Sequence, residues 1–193
     1  MSSLPMTRDE AWELVRQYNS DPTDLNHYLE SEAVMRGLAN YLGEDEEYWG
    51  MLGLLHDIDW GLTKDDVSSH LTKAPELLQK AGFDQKFIDI VLSHGYGCDC
   101  AGLENEVRTE KIQHALAAAE TITGLIFAYA LMRGGITGMN PKGLKKKFKD
   151  KSFAAKVNRD FIRESEKLGL ELGEFFAIAI AAIEEIKDQV GLK

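Results

Sequence analysis

Cysteine is scarce: Cys98 and Cys100 are the only two in 193 residues. So close together they make a poor structural disulfide, and a complete zinc site would require more ligands at regular spacing. They read as reduced thiols in a loop; the alternative is that they line a pocket mouth or respond to oxidation. Proline is limited to four residues. No stretch alternates β-branched with polar residues, so strands are not expected. Long apolar runs are lacking as well. The longest, around residues 175–183, falls short of the roughly 20 residues that cross a bilayer, and no membrane partner is expected. The first residues show no basic region followed by a hydrophobic one, so no signal peptide is expected and the cytoplasm is the expected location. Net positive charge is absent too. At −10 the chain is unsuited to nonspecific binding of a nucleic-acid polymer. Internal repeats and low-complexity tracts are missing.

What is present is helical periodicity. With 44% apolar and 28% charged residues, the composition suits one soluble globular domain over residues 1–193, large enough to bury a core. The core is expected over about 7–135, followed by a helical extension over about 136–193. Thr7-Arg-Asp-Glu10 has the form of a capping box and opens a first helix. Asp21-Pro22 opens a second, which Gly43 ends. A third is expected from about Asp45 to Asp57 and a fourth from about Ser69 to Ala81. A fifth follows Asp84 and ends near His94, and Gly95 to Asn105 reads as loop. A long central helix runs from Thr109-Glu110 to about Arg133. Pro141 opens a short helix through the lysines. Two more are expected near 154–168 and 174–190. The fold class is therefore all-α, a single-domain helical bundle with a pocket at its centre.

The chemistry begins at His56-Asp57, which ends the apolar run Met51-Leu-Gly-Leu-Leu55. A charged pair at the end of an apolar helix is costly to desolvate unless something compensates it. His27, His70 and His94 are spread along the chain, and Glu120 interrupts an apolar helix beside Ala117, Ala118 and Ala119. Imidazoles and carboxylates gathered from separate helices are what a transition-metal site requires. Taken singly, His27 could be a satisfied core histidine; with the His-Asp pair, the ligand reading is preferred. The small residues beside Glu120 suggest room cleared for something. His114 precedes Glu120 by six residues, about 240° around the helix after a full turn is removed, so it is expected at the surface or behind the site rather than as a ligand. Asp59 could orient a water or accept a proton, or could equally cap a helix end.

The order H…HD…H…H…E resembles the HD superfamily of metal-dependent phosphohydrolases, and in particular its small stand-alone bacterial and archaeal members. The stretches that carry the likeness are Gly53-Leu-Leu-His-Asp-Ile-Asp59, Thr63-Lys-Asp-Asp66, Thr123-Gly-Leu-Ile126 and Lys145-Lys-Lys-Phe-Lys-Asp-Lys-Ser-Phe-Ala-Ala155. It extends from about Thr7 to Val190. The resemblance implies a first metal held by His27, His56, Asp57 and Glu120. It implies a second, bridged by Asp57 and held by His70 and His94. In this superfamily the last ligand is usually Asp; Glu120 can still ligate, but its extra methylene shifts the oxygen. The cofactor expectation is one or two divalent ions of Fe, Mn, Zn, Co or Ni, because nitrogen-rich ligation disfavours Mg and Ca.

Activity follows as an expectation. Two ions spanned by a carboxylate can activate a water and steady charge on a phosphoryl group, with Asp57 and Asp59 as the catalytic carboxylates. The expected partner is a small phosphorylated substrate, such as a nucleotide. Lys142, Lys145, Lys146, Lys147, Lys149 and Lys151 crowd one stretch of an acidic chain. That stretch is either a solvated loop or an attractor of phosphate. Lys64, Arg133, Lys145, Lys146 and Lys147 are the candidate phosphate clamps. Two alternatives stand beside hydrolysis: an HD-type di-iron oxygenase, and a non-catalytic metal- or nucleotide-binding regulator.

Overall fold

The computed structural model describes residues 4–193. Among the described residues there are helices, turns and loops, and no strand. Helix α1 (Arg8–Tyr18) starts at the capping box, in which Thr7 and Glu10 satisfy each other's backbone N–H groups. Helix α2 (Pro22–Leu42) is capped by the Asp21 carboxylate, which accepts from Thr23 N–H, and Gly43 ends it at φ 72°. Helix α3 (Glu46–Leu55) is capped by Asp45. A short α4 (Trp60–Thr63) follows the His-Asp pair, then α5 (Ala74–Lys80) and α6 (Gln85–Leu92). The long α7 (Lys111–Arg133) is followed by α8 (Pro141–Lys149), α9 (Arg159–Arg163) and α10 (Leu172–Glu185).

Helix α2 runs through the centre and packs against α3, α7 and α10. Its buried stripe includes Tyr28, Val34, Met35 and Leu38. Against α10 the contact is close: a Cβ on Gly37 would stand 3.3 Å from both Ala182 Cβ and Ile178 Cγ2. The hydrophobic core takes in Leu144, Phe148, Ile162, Phe175 and Phe176 together with the residues of α2, α3 and α7. Helix α7 is long and apolar enough to cross a membrane by length and composition, but over half of its apolar window is buried inside the bundle. It is the core helix against which the rest assembles.

Two local expectations are corrected. The helix expected over 69–81 starts only at Ala74. Residues 67–69 form one tight turn, Leu71 has a left-handed backbone at φ 69°, and Pro75 sits in the first turn of α5. The stretch expected as helix over 154–168 is turn up to Asn158, because Arg159 folds back and donates to the carbonyls of Phe153, Ala154 and Val157. Ala117, Ala118 and Ala119 are all fully buried on α7.

Candidate metal centre

Five of the residues expected to bind metal converge. His27 lies in the second turn of α2. His56 and Asp57 follow α3, His70 precedes α5, and His94 lies in the tight turn after α6. Gly53 makes the meeting possible. A Cβ there would stand 2.6 Å from the Ser31 carbonyl oxygen and 2.9 Å from Glu32 Cα. Lacking one, α3 lies directly against α2 at the level of Ser31, one turn beyond His27. The imidazoles of His27 and His56 then meet, Nε2 to Nε2, at 3.1 Å.

The backbone of the pair is fixed from outside. The Tyr28 hydroxyl and the Trp60 N–H both donate to the Asp57 carbonyl, at 2.6 and 2.8 Å. The buried Asn19 holds the next residues: its amide donates to the Ile58 carbonyl, and its oxygen accepts from Gly61 N–H at 2.7 Å. Asp57 thus presents its side chain from a fixed main chain.

Its carboxylate is divided between two pairs of histidines. Oδ2 faces His27 Nε2 at 3.7 Å and His56 Nε2 at 3.4 Å. Oδ1 faces His70 Nε2 at 3.2 Å and His94 Nε2 at 3.0 Å. Two donor groups result, His27–His56–Asp57 and Asp57–His70–His94, each able to hold a metal ion.

The donor set fits that role on its own chemistry. His56 Nδ1 stands 2.8 Å from the Gly53 carbonyl, and His94 Nδ1 stands 2.7 Å from the Val91 carbonyl. A carbonyl only accepts, so both Nδ1 atoms carry protons. In the neutral ring, Nε2 then presents a lone pair to a carboxylate oxygen. Such pairs need a cation between them. Donors that share an ion at about 2.1 Å stand roughly 3.0–3.4 Å apart, close to the spacing found here. The four rings differ in charge preference. Burial pushes His27 down to about 4 and lowers His94, so both rings are neutral, as ligands must be. Burial also acts on His70 and His56, but Asp57 outweighs it; His70, which Asp59 helps, is held up at about 10. For Asp57 the histidines outweigh burial and hold the carboxyl far below the usual range.

Glu120 does not join either group. Its carboxylate accepts from the neighbouring Thr121 hydroxyl. It remains within electrostatic reach of His56 and Asp57, and burial pushes it up to about 7. Asp59 is also placed differently from a water-orienting base. Oδ1 accepts from Leu71 N–H, and Oδ2 accepts from Lys73 and Ala74 N–H at 2.9 and 3.1 Å. Oδ1 also lies 3.2 Å from His70 Nδ1, on the side of the ring away from Asp57. Asp59 caps α5 and backs a histidine.

The expected phosphate clamps separate. Lys64 is drawn to the site's end of α2 by Asp24, at 3.3 Å, one turn before His27. Arg133 lies over the Tyr129 ring and donates to the Thr137 carbonyl at the far end of α7. Lys147 lies over Phe153 and Tyr129. Tyr129 is nine residues past Glu120, which is about 13 Å along the helix and half a turn around it. Lys145 and Lys146 are exposed on the same α8. Arg133 and these lysines therefore form a cationic face on another side of α7 and do not line the centre.

His114 lies outside both groups and bonds Glu164. Glu164 also faces Arg108, which donates to the His94 and Tyr96 carbonyls at 2.6 and 3.0 Å. Arg108 had no signal in the sequence beyond its position in a loop. Thr123, which accepts from His27 Nδ1 at 2.9 Å and donates to the Glu120 carbonyl, was visible only as part of a motif. Cys98 and Cys100 are both free thiols in the loop after His94, and burial raises both, Cys100 to about 11.

No curated protein and no solved structure matches the chain. A family comparison does: the HD domain matches residues 24–129, which contain all five converging residues and Glu120. With more than half of its length matched and the H…HD…H…H series assembled around one aspartate, the chain belongs to the HD domain family.

Proposed function

We propose that this protein is a metal-dependent phosphohydrolase acting on a nucleotide or another small phosphoester. The observation that carries the reading is the division of the Asp57 carboxylate between two pairs of histidines. When bound, divalent transition-metal ions supply a Lewis acid for a phosphoryl oxygen and an activated water at neutral pH. The residues of the chain do the rest. Asp57 is shared by both positions, and His27, His56, His70 and His94 complete them. His27 is the most exposed of the four, with 30% of its side chain accessible, so substrate approaches past the N-terminal end of α2. Lys64 stands at that end and is the cation suited to a phosphate there. The lysines of α8 act at longer range, by raising the local concentration of an anion around an acidic protein.

The test is elemental analysis of the purified protein, followed by a panel of phosphoesters with the metal found. Phosphate release should require that metal and be lost in Asp57→Ala. Metal-independent release, or release retained by Asp57→Ala, would sink the reading. Substrate loss that requires oxygen and iron, without phosphate release, would point to an oxygenase on the same ligands.

A further inference from the structure

We infer that the two metal positions are unequal, and that Asp59 makes them so by acting through His70. This rests on the two-position centre proposed above. His56 and His94 lean on main-chain carbonyls, of Gly53 and Val91, one at each position. Those contributions are alike and cancel. The remaining histidines are not alike. Behind His27 stands a neutral hydroxyl, that of Thr123, whose own proton is committed to the Glu120 carbonyl. Behind His70 stands a carboxylate.

That carboxylate is built in. Asp59 is fully buried, and three backbone N–H groups on the residues just after His70 hold it. The chain makes a left-handed turn at Leu71 to wrap it, a conformation costly for a branched residue. His70 Nδ1 is buried and makes no hydrogen bond; Asp59 Oδ1, at 3.2 Å, is its charged neighbour on that side. Trp60 closes against the ring edge-on at 5.3 Å. A carboxylate behind a ligating imidazole fixes the ring and raises its basicity, whereas a hydroxyl does so far less. Access enters at one ligand: the His27 side chain is 30% accessible, against 11% and 7% for His70 and His94 and 0% for His56. The carboxylate expected to complete the His27 position, Glu120, stands off. The His70–His94–Asp57 position is therefore the tight one, filled first and kept. The His27–His56–Asp57 position is the weak one, open to exchange and to substrate. Asp59 is a positioning residue for the first, and Thr123 for the second.

The experiment is a stepwise titration of metal-stripped protein with Co(II), read by calorimetry and by the visible absorption of the bound ion. Wild type should show two classes of site. His70→Ala should delete the tight class and His27→Ala the weak one. Asp59→Asn should weaken the tight class by about 10–100-fold and shift its absorption, leaving the weak class unchanged; Thr123→Val should do the reverse. If Asp59→Asn does not fold by circular dichroism, the His70→Ala and His27→Ala arms decide. Two sites of equal affinity, or loss of the tight class in His27→Ala, would overturn the inference while leaving a two-metal centre intact. Binding of no Co(II) at all would instead overturn the centre itself.

Discussion

Glu30 sits in the middle of α2, only 3% exposed, with Oε1 making no hydrogen bond. Burial alone pushes its carboxyl from 4.5 up to about 8. The folded protein therefore keeps a proton that the unfolded chain has already released. Below about pH 4.5 both states are protonated and the group costs nothing. Between there and about pH 8 the unfolded state gains as its carboxyl ionises, so stability falls as pH rises, and above about 8 the full penalty remains. A gap from 4.5 to about 8, at about 1.4 kcal/mol per unit, amounts to roughly 3–5 kcal/mol. That is a sizeable share of the 5–15 kcal/mol typical of a domain. Glu30→Gln cannot ionise. Any cost of burying an amide there is the same at every pH and drops out of the comparison. Urea unfolding of both proteins in the presence of a chelator, at pH 5 and pH 8.5, isolates the effect. The variant should gain roughly 3–5 kcal/mol on wild type between the two conditions. In a chain of this length that corresponds to a relative rise in Tm of about 6–20 °C. A wild-type-to-variant difference that stays constant across pH would refute the reasoning and show that Glu30 is solvated or paired in solution.

Other outcomes follow from the same geometry. Gly53→Ala should cost about 3 kcal/mol in urea unfolding, since its Cβ meets backbone atoms of α2 that cannot move aside, and it should weaken Co(II) binding by parting His27 from His56. His114→Ala should leave metal content by elemental analysis unchanged while lowering stability by about 1–3 kcal/mol, because Glu164 loses a partner. Replacing Lys145, Lys146 and Lys147 together by Gln should raise KM about two- to fivefold at low salt with kcat held. The effect should fade as salt rises, since exposed charges are screened within about 8 Å at physiological ionic strength. A wild-type KM at low salt would make the cluster a solvated face and nothing more.

Much of this architecture is legible in the residues, and the reason is local. Thr7, Asp21 and Asp84 cap the helices that they were expected to open, and Asp45 caps the one expected to start near it, because a cap depends only on its immediate neighbours. The histidine series is legible through its resemblance to the HD pattern, and five of its members do converge. What escaped depends on contacts across the fold. Spacing along α7 locates Glu120, Tyr129 and Arg133, but not which neighbour each one meets. Asp59 reads equally as a water-orienting carboxylate or a helix-end cap; its three N–H donors come from a turn whose shape depends on Leu71 adopting a left-handed backbone. Glu120 reads as a carboxylate on an apolar helix, and only the geometry shows that it accepts from Thr121 and joins neither donor group.

The Arg108–Glu164 contact bears on where the working unit ends. The matched family region stops at residue 129, yet Arg108, 5% accessible, has its opposing carboxylate at residue 164. A buried guanidinium cannot shed its proton, and isolating it is among the costlier changes a fold can suffer. The same arginine holds the carbonyls of His94 and Tyr96. A shortened chain that kept every metal donor but ended near residue 135 would strand that cation directly behind a ligand. The C-terminal helices are thus a counter-charge for the metal centre as well as a covering for the core, and exchanging them between relatives would carry the electrostatics of the site along with them.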